Sequence, residues 1–509
     1  MQHADVVVVG AGSAGVVVAR RLTDTLDCSV LLLEAGPDYP SQHLPRDLAD
    51  GSRNSMTAHD WGYRHRPTPL GREFALPRGR VVGGSSAVNT CIALRGQPED
   101  YDEWSQRGLR EWSWQHCLPA FKRLERDLDL ASPWHGDSGP LPIRRHPPAE
   151  WVPFQAAFVE ACAELGFADC YDSNEPGRSG AGPHAMNKLE GRRVSAAEAY
   201  LTSDVRARQN LTLEAGTLVR RVLFDRHRVV GVEIESPEGV QTVATERVVL
   251  CGGALNTPFV LLRSGIGPRA EVERLGCELL VELPGVNRQL LDHPGTAIFL
   301  VPRKVDPESL GHPLIQTVLR YGSAGARHPS DMLLQPGSRV TLPGFDLPLV
   351  SMMCCVGKPR GAGKLHWRSA DARARPTIES GLLEQSDDRS LAVEAMQLAY
   401  ELTESAALSK LVVHVWPGVR VLRSRARTDA WIRSACDSAY HPCGTVPMGA
   451  DDDALAATDG RGRVRGVRGL VVADASLMPS IPSSNIHLPT LMVAERIAEF
   501  LRMDMGCTQ

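Results

Sequence analysis

Three glycines, Gly10, Gly12 and Gly15, separate a β-branched run, Val6 to Val9, from a second apolar run that begins at Val16 and ends at Leu22. Glycines at this spacing between a strand and a helix form a turn that receives a dinucleotide pyrophosphate: Gly10 makes the tight turn, Gly12 admits backbone N–H groups to the phosphates, and Gly15 lets helix and strand pack closely. The helix N-terminus, with Ser13 and Ala14 in its first turn, adds favourable potential for negative charge. Glu34, followed by Ala35, ends a further apolar run that starts at Ser29. A carboxylate there accepts hydrogen bonds from ribose hydroxyls and repels a 2′-phosphate, so NADP is disfavoured. A second turn, Gly83-Gly84-Ser85-Ser86, is small enough for backbone amides and hydroxyls to touch a phosphate or a flat ring without side-chain clash. These residues alone leave FAD and NAD both open.

Four further blocks narrow the choice. Gly79-Arg-Val-Val-Gly-Gly-Ser-Ser-Ala-Val-Asn89 resembles the first signature of the glucose–methanol–choline (GMC) family of FAD-dependent oxidoreductases, and Gly253 to Pro258 with Ser264 to Gly267 resembles the second. His441-Pro-Cys-Gly-Thr-Val-Pro-Met-Gly449 and Leu488 to Arg496 are similar to the C-terminal catalytic blocks. The resemblance runs in the family's order from Asp5 to Leu501 and is closest to choline dehydrogenase-like and aryl or furfuryl alcohol oxidase-like bacterial members. It implies an enzyme that oxidises the CH–OH group of an alcohol to an aldehyde or ketone, with electrons passed to O2 or another acceptor. Asn89, Thr90, Cys91 and Ile92 would run beside the isoalloxazine, Asp474-Ala475 would approach the pyrophosphate and ribityl chain, and Val219 would meet the adenine. Val82, Ser86, Pro489 and Thr490 join the implied cofactor set. Where some relatives carry a histidine that attaches the flavin, this chain has Val88, which implies noncovalent FAD.

Alcohol oxidation needs a group that takes the hydroxyl proton as hydride leaves the carbon, and imidazole suits that task. Of the 16 histidines, His441 is the one in the family's His-Pro-x-Gly-Thr context and is assigned as the base. The second catalytic position, read in an x-x-Pro-Thr frame, falls on His487, with Asn485 two residues earlier as the alternative. His441 and His487 are expected to lie close and to titrate as a coupled pair. The same scaffold also hosts hydroxynitrile lyases and light-driven fatty acid decarboxylases, and a non-enzymatic NAD-sensing module is the remaining class.

The elements that must hold these residues read as α/β: a Rossmann-like FAD-binding domain with an inserted α+β substrate-binding domain. The expected division gives residues 1–150, 190–300 and 446–509 to the first and 151–189 and 301–445 to the second. A strand-rich passage from Leu211 to Leu250 looks like a small meander, and Pro302 to Arg375 like a lobe with long loops. Residues 470–474 form another buried strand, and Leu488 to Leu501 an amphipathic helix.

The 56 basic and 60 acidic residues among 509 give a net charge of −4, which gives no support to nucleic-acid binding. No apolar stretch reaches the ~20 residues of a membrane span, and no leader pattern opens the chain, so a cytoplasmic location is expected. Self-association is left open. The 12 cysteines show no zinc spacing and no disulfide framework, so no metal is expected and Cys354-Cys355 reads as core. Trp61 resembles a stretch that borders the FAD, Trp416 replaces an acidic residue common before that Pro-Gly and is weighed as facing the pocket, and Arg420 to Arg427 reads as a solvated basic face.

Overall fold

In the computed structural model, residues 4–40, 43–55, 57–304, 313–324, 326, 328–342 and 345–506 are described. Five parallel strands form one sheet in the order Leu211–Ala215, Val30–Glu34, Val6–Val9, Val248–Leu250, Leu470–Val472. Val6 to Val9 are fully buried, as a strand covered on both faces must be. The helix Ser13–Leu22 packs on this sheet beside the C-terminal helix His487–Asp504. The carboxylate of Glu495 in that last helix accepts from Arg21 at 2.8–3.1 Å, Arg123 at 3.0 Å and Tyr200 at 2.8 Å. This buried ion cluster fixes the helix whose first residue, His487, reaches the central cavity.

The expected meander holds for its middle, Leu218–Asp225, Arg228–Ser236 and Gly239–Ala244, which pair antiparallel. Its flanks do not belong to it. Leu211–Ala215 and Val248–Leu250 join the parallel sheet, because a continuous buried run such as Val-Val-Leu suits a covered strand rather than a half-exposed one.

The region read as a lobe with long loops holds a strand-rich layer among its described residues. A mainly antiparallel sheet runs in the order Val412–Trp416, Pro294–Pro302, Phe345–Val356, Met332–Leu342, Thr317–Tyr321, Gly180–Pro183. One face packs on the helix Ser386–Thr403, with Met352 and Cys354 against Ala395, Met396 and Ala399. The opposite face carries Leu333, Gln335, Met353 and Cys355 and forms a wall of the central cavity. Period-2 alternation therefore gives each strand one core face and one cavity face.

Candidate active site

At the end of the first strand Gly10 adopts φ 96°, and a Cβ on Gly15 would fall 1.9 Å from the Gly10 oxygen, so no side chain fits there. The Gly83–Gly84 turn lies back to back with this one: Gly83 N–H donates to Ala11 O at 2.7 Å, and a Cβ on Gly84 would sit 2.7 Å from the Gly12 Cα. The carboxylate of Glu34 accepts the N–H of Ala11 at 3.0 Å and of Gly36 at 2.8 Å, and burial pushes its pKa up to about 7. Asp474 is held by Gly253 N–H at 2.7 Å, Thr257 Oγ1–H at 2.6 Å and Ser476, and burial raises its pKa as well.

These groups converge on a cavity of ≈ 380 Å³. Of the residues expected at a cofactor, Gly10, Gly12, Ser13, Ala14, Glu34, Ala35, Ser86, Asn89, Thr90, Ile92, Val219, Asp474, Ala475 and Thr490 line it. Four do not. Gly15 is spent on helix–strand packing, and Val82 faces a separate small pocket with Asp38 and Arg206. Cys91, at φ 64°, turns its thiol to Arg193 at 3.9 Å, and Pro489 is buried within the C-terminal helix.

The other end of the cavity holds the imidazoles. Tyr440 takes φ 69°, a left-handed conformation uncommon for a residue with a Cβ, and the turn delivers His441 N–H to Asp292 Oδ1 at 2.9 Å. Asp292 also accepts from Ser438 Oγ and from His293 N–H, so the buried carboxylate is consumed in shaping this loop.

The ring contacts then fix the protons. His293 Nε2 faces the carbonyl oxygens of Gly357 and Pro482, both at 3.0 Å, and a nitrogen between two acceptors must carry hydrogen. Neutral His293 therefore offers a lone pair at Nδ1. His441 Nδ1 lies 2.9 Å away and must donate to it, which leaves His441 Nε2 as an unprotonated acceptor. That nitrogen receives Asn485 Nδ2–H at 3.0 Å. Burial, then His293, then Arg78 hold the His441 pKa well below its ordinary value, and burial takes His293 to about 4.

His441 and His487 both line the cavity but are not hydrogen-bonded to each other. His441 meets Asn485 on one side and His293 on the other, whereas burial alone lowers the pKa of His487, to about 4, with no charge contribution from His441. His487 is the first residue of the terminal helix, and its ring lines the cavity. Asn485 precedes the helix and is free to turn toward His441. Asn485 Oδ1 and His487 Nε2 are both buried on the cavity without a partner among the described residues. Orphaned polar atoms in a glycine-walled cavity with a carboxylate at the far end fit a bound dinucleotide.

His293, Asp292, Arg78 and Asn485 thus complete the site, and only Asn485 had been weighed from the sequence. Trp61 lines the cavity beneath the Arg80 guanidinium, 5.0 Å from its ring centroid. Trp416 is corrected: it does not line the cavity and packs on Phe299 and Trp431 with 49% of its surface exposed. Eleven described cysteines are free thiols. Among the described residues one group has metal-ligand geometry, Glu125, Asp127 and His135, but its charges are already met by Arg95, Arg145 and the His135 ring itself.

A parallel sheet with a glycine-walled cavity, closed by a second sheet that brings in histidines, defines a nucleotide-cofactor oxidoreductase. Residues 4–295 and 359–494 match the profiles of the GMC oxidoreductase family, and the chain belongs to that family. It is an FAD-dependent enzyme acting on CH–OH donors. It is 33% identical, over 97% of this chain and 98% of the relative, to a 5-(hydroxymethyl)furfural oxidase of Methylovorus sp. (strain MP688). Identity to an oxygen-dependent choline dehydrogenase of Brucella anthropi is 34%, over 98% and 95%. The solved structure of pyridoxine 4-oxidase from Mesorbium loti superposes with a TM-score of 0.91 at 30% identity, covering 98% of this chain and 99% of that one. No helix among the described residues is long and apolar enough to cross a membrane.

Proposed function

We propose that the protein oxidises an alcohol to the aldehyde or ketone with His441 as base, Asn485 as the partner of the substrate oxygen, and noncovalently bound FAD. The observation that carries this is the line from the Gly357 and Pro482 carbonyls through His293 to His441, which leaves His441 Nε2 unprotonated on the cavity, its lone pair met by the Asn485 amide until a substrate hydroxyl displaces it. FAD, when bound, supplies the acceptor for the hydride. Glu34 would hold its ribose, the amides around Gly12 and Ser13 its pyrophosphate, and the Asn89 to Ile92 run with His487 and Thr490 its ring system. Val88 offers no atom for a covalent link to the ring.

His441 Nε2 takes the hydroxyl proton, and the new imidazolium shares its Nδ1–H with His293. Asn485 keeps a second N–H for the oxygen, whose negative charge grows as the hydride leaves. The low pKa keeps His441 neutral and ready at physiological pH. The relatives' oxidase and dehydrogenase names do not favour the lyase or decarboxylase readings.

The test is anaerobic reduction of bound flavin by a panel of alcohols, followed by admission of air. Bleaching in the wild type and its loss by on the order of 10²–10⁴ in rate for His441→Ala is the expected result. Unchanged bleaching in that variant would remove His441 from the mechanism. Recovery in air identifies O2 as an acceptor, and persistent bleaching a dehydrogenase.

A further inference from the structure

The helix Pro98–Gln106 lies outside the cavity, yet one of its faces runs along the segment that leads to Asn485. Positions 100, 103, 104 and 107 share that face, being three and four residues apart. Arg107 Nη1–H donates to Pro479 O at 3.1 Å, and the Trp104 indole N–H is shared between Ser480 O at 3.2 Å and Ser480 Oγ at 3.0 Å. Asp100 Oδ2 accepts Ser483 N–H at 3.0 Å and Ser483 Oγ–H at 2.7 Å, besides capping its own helix through Gln97 N–H at 2.8 Å.

Lys358, just past the strand Phe345–Val356, closes the set from the second sheet. Its Nζ donates to Ile481 O at 2.8 Å and Glu103 Oε2 at 2.9 Å, and pairs with Asp100 Oδ1 at 3.1 Å. His328 Nε2 lies 3.2 Å from the same Oδ1. The Asp100 side chain is fully buried and that of Lys358 is 20% exposed. A carboxylate so placed needs its cation, and removing one partner of a buried pair disturbs whatever the other partner holds.

Pro482 sits between Ile481 and Ser483, the two residues that Lys358 and Asp100 grip. Its carbonyl accepts His293 Nε2–H at 3.0 Å and Ser484 N–H at 2.8 Å, a three-residue turn that sends the chain on to Asn485 and His441 Nε2. Gly357, the other neighbour of His293 Nε2, has an anchor of its own, since its N–H donates to Asp331 O at 2.6 Å. The grip of the ion pair therefore falls on residues 481–485.

We propose that Asp100 and Lys358 are positioning residues for Asn485: their ion pair holds the 481–483 segment against the helix face and so aims the Asn485 amide at the atom that takes the substrate proton. Neither lines the cavity, and the role rests on alcohol oxidation with His441 and Asn485 as proposed above.

The test uses FAD-loaded enzyme and anaerobic stopped-flow reduction by benzyl alcohol, furfuryl alcohol or choline, whichever reduces the wild type fastest. Lys358→Met, which drops the charge and keeps the bulk, should lower the limiting rate per bound flavin by on the order of 10–10²-fold, the cost of misplacing a group from outside the site. The alcohol concentration that gives half of that rate should change little. Lys358→Arg keeps a cation, has room because the side chain reaches solvent, and should recover most of the rate. In an Asn485→Ala background the same Lys358→Met change should cost about threefold or less, because the group it positions is gone. A role in folding alone would lower flavin content and give equal losses in both backgrounds. If Lys358→Met does not retain flavin, Asp100→Asn, which leaves an oxygen for Ser483 but removes the ion pair, is read in the same two backgrounds. An unchanged limiting rate, a Lys358→Arg loss as large as that of Lys358→Met, or equal losses with and without Asn485 overturns the proposal while leaving alcohol oxidation intact. If no alcohol bleaches the wild-type flavin, alcohol oxidation itself falls and this role with it.

Discussion

Replacing Asn485, His487 and His441 one at a time separates the two arrangements of the site. Asn485 Nδ2–H reaches His441 Nε2 at 3.0 Å, so the same amide is placed to donate to an oxygen that gives its proton to that nitrogen. A hydrogen bond to a group gaining charge is worth about 1.5–3 kcal/mol, and each 1.4 kcal/mol is tenfold, so Asn485→Ala should slow flavin reduction by about 10–150-fold. The loss should fall on the limiting rate rather than on substrate affinity, because the interaction strengthens only as the alkoxide develops. His441→Ala should cost more, and on this assignment His487→Ala should spare the limiting rate and instead weaken FAD retention, since its buried, unpartnered Nε2 lies on the cavity without contacting His441. Stopped-flow reduction with saturating alcohol, beside flavin content per chain, reads both quantities. A His487→Ala loss in limiting rate exceeding that of Asn485→Ala would refute the geometric assignment and restore the pair expected from the sequence.

Three further outcomes follow from the buried charges. Because the His441 pKa is depressed, the limiting rate should stay level as pH falls through the ordinary histidine range and drop only in more acidic solution, where the base is at last protonated; a pH–rate profile of flavin reduction checks this. Glu34 has a pKa of about 7, so FAD affinity should weaken as pH falls through that value and the carboxylate stops accepting; Glu34→Gln should bind FAD about 10–100-fold more weakly with little pH dependence, read by fluorescence titration of apoprotein. His135, ringed by Glu125, Asp127 and Asp172, has its pKa raised to about 10, its burial outweighed by those carboxylates. A raised pKa stabilises the fold fully below the unfolded value of 6.5 and ceases to do so as pH rises to about 10, so His135→Gln should cost about 3–5 kcal/mol in urea unfolding at pH 6 and much less near pH 10.

The nucleotide end was legible because its physics is local. Gly10, Gly12 and Gly15 are fixed by one turn, and Glu34 follows one strand later, so four positions close in sequence predict one half-site. The catalytic end was only partly legible. Counting back from Pro489-Thr490 placed the partner at His487, where the helix begins, whereas the side chain hydrogen-bonded to His441 Nε2 is Asn485, two residues earlier. His293 carried no local signal, since its role depends on carbonyls 64 and 189 residues away. The wall of the second sheet was hidden for a similar reason: Leu333, Gln335, Met353 and Cys355 become one surface only through strand register.

That dependence on distant carbonyls says where the base comes from. Gly357 follows a strand of the second sheet, while Pro482 and Asn485 lie on the approach to the C-terminal helix that packs on the parallel sheet. Each layer supplies one of the two acceptors, and either carbonyl alone still requires a hydrogen on His293 Nε2. Were both carbonyls lost, His293 Nδ1 could carry the hydrogen, His441 Nδ1 would then have to accept it, and His441 Nε2 would become a donor with no capacity to take a proton. The proton-accepting atom therefore depends on His293 keeping at least one of these two carbonyls. A perturbation that removes both carbonyls from His293 should lower the limiting rate while leaving FAD bound, since the turn at Gly10–Gly12, Glu34 and the Gly83–Gly84 turn do not depend on that ring.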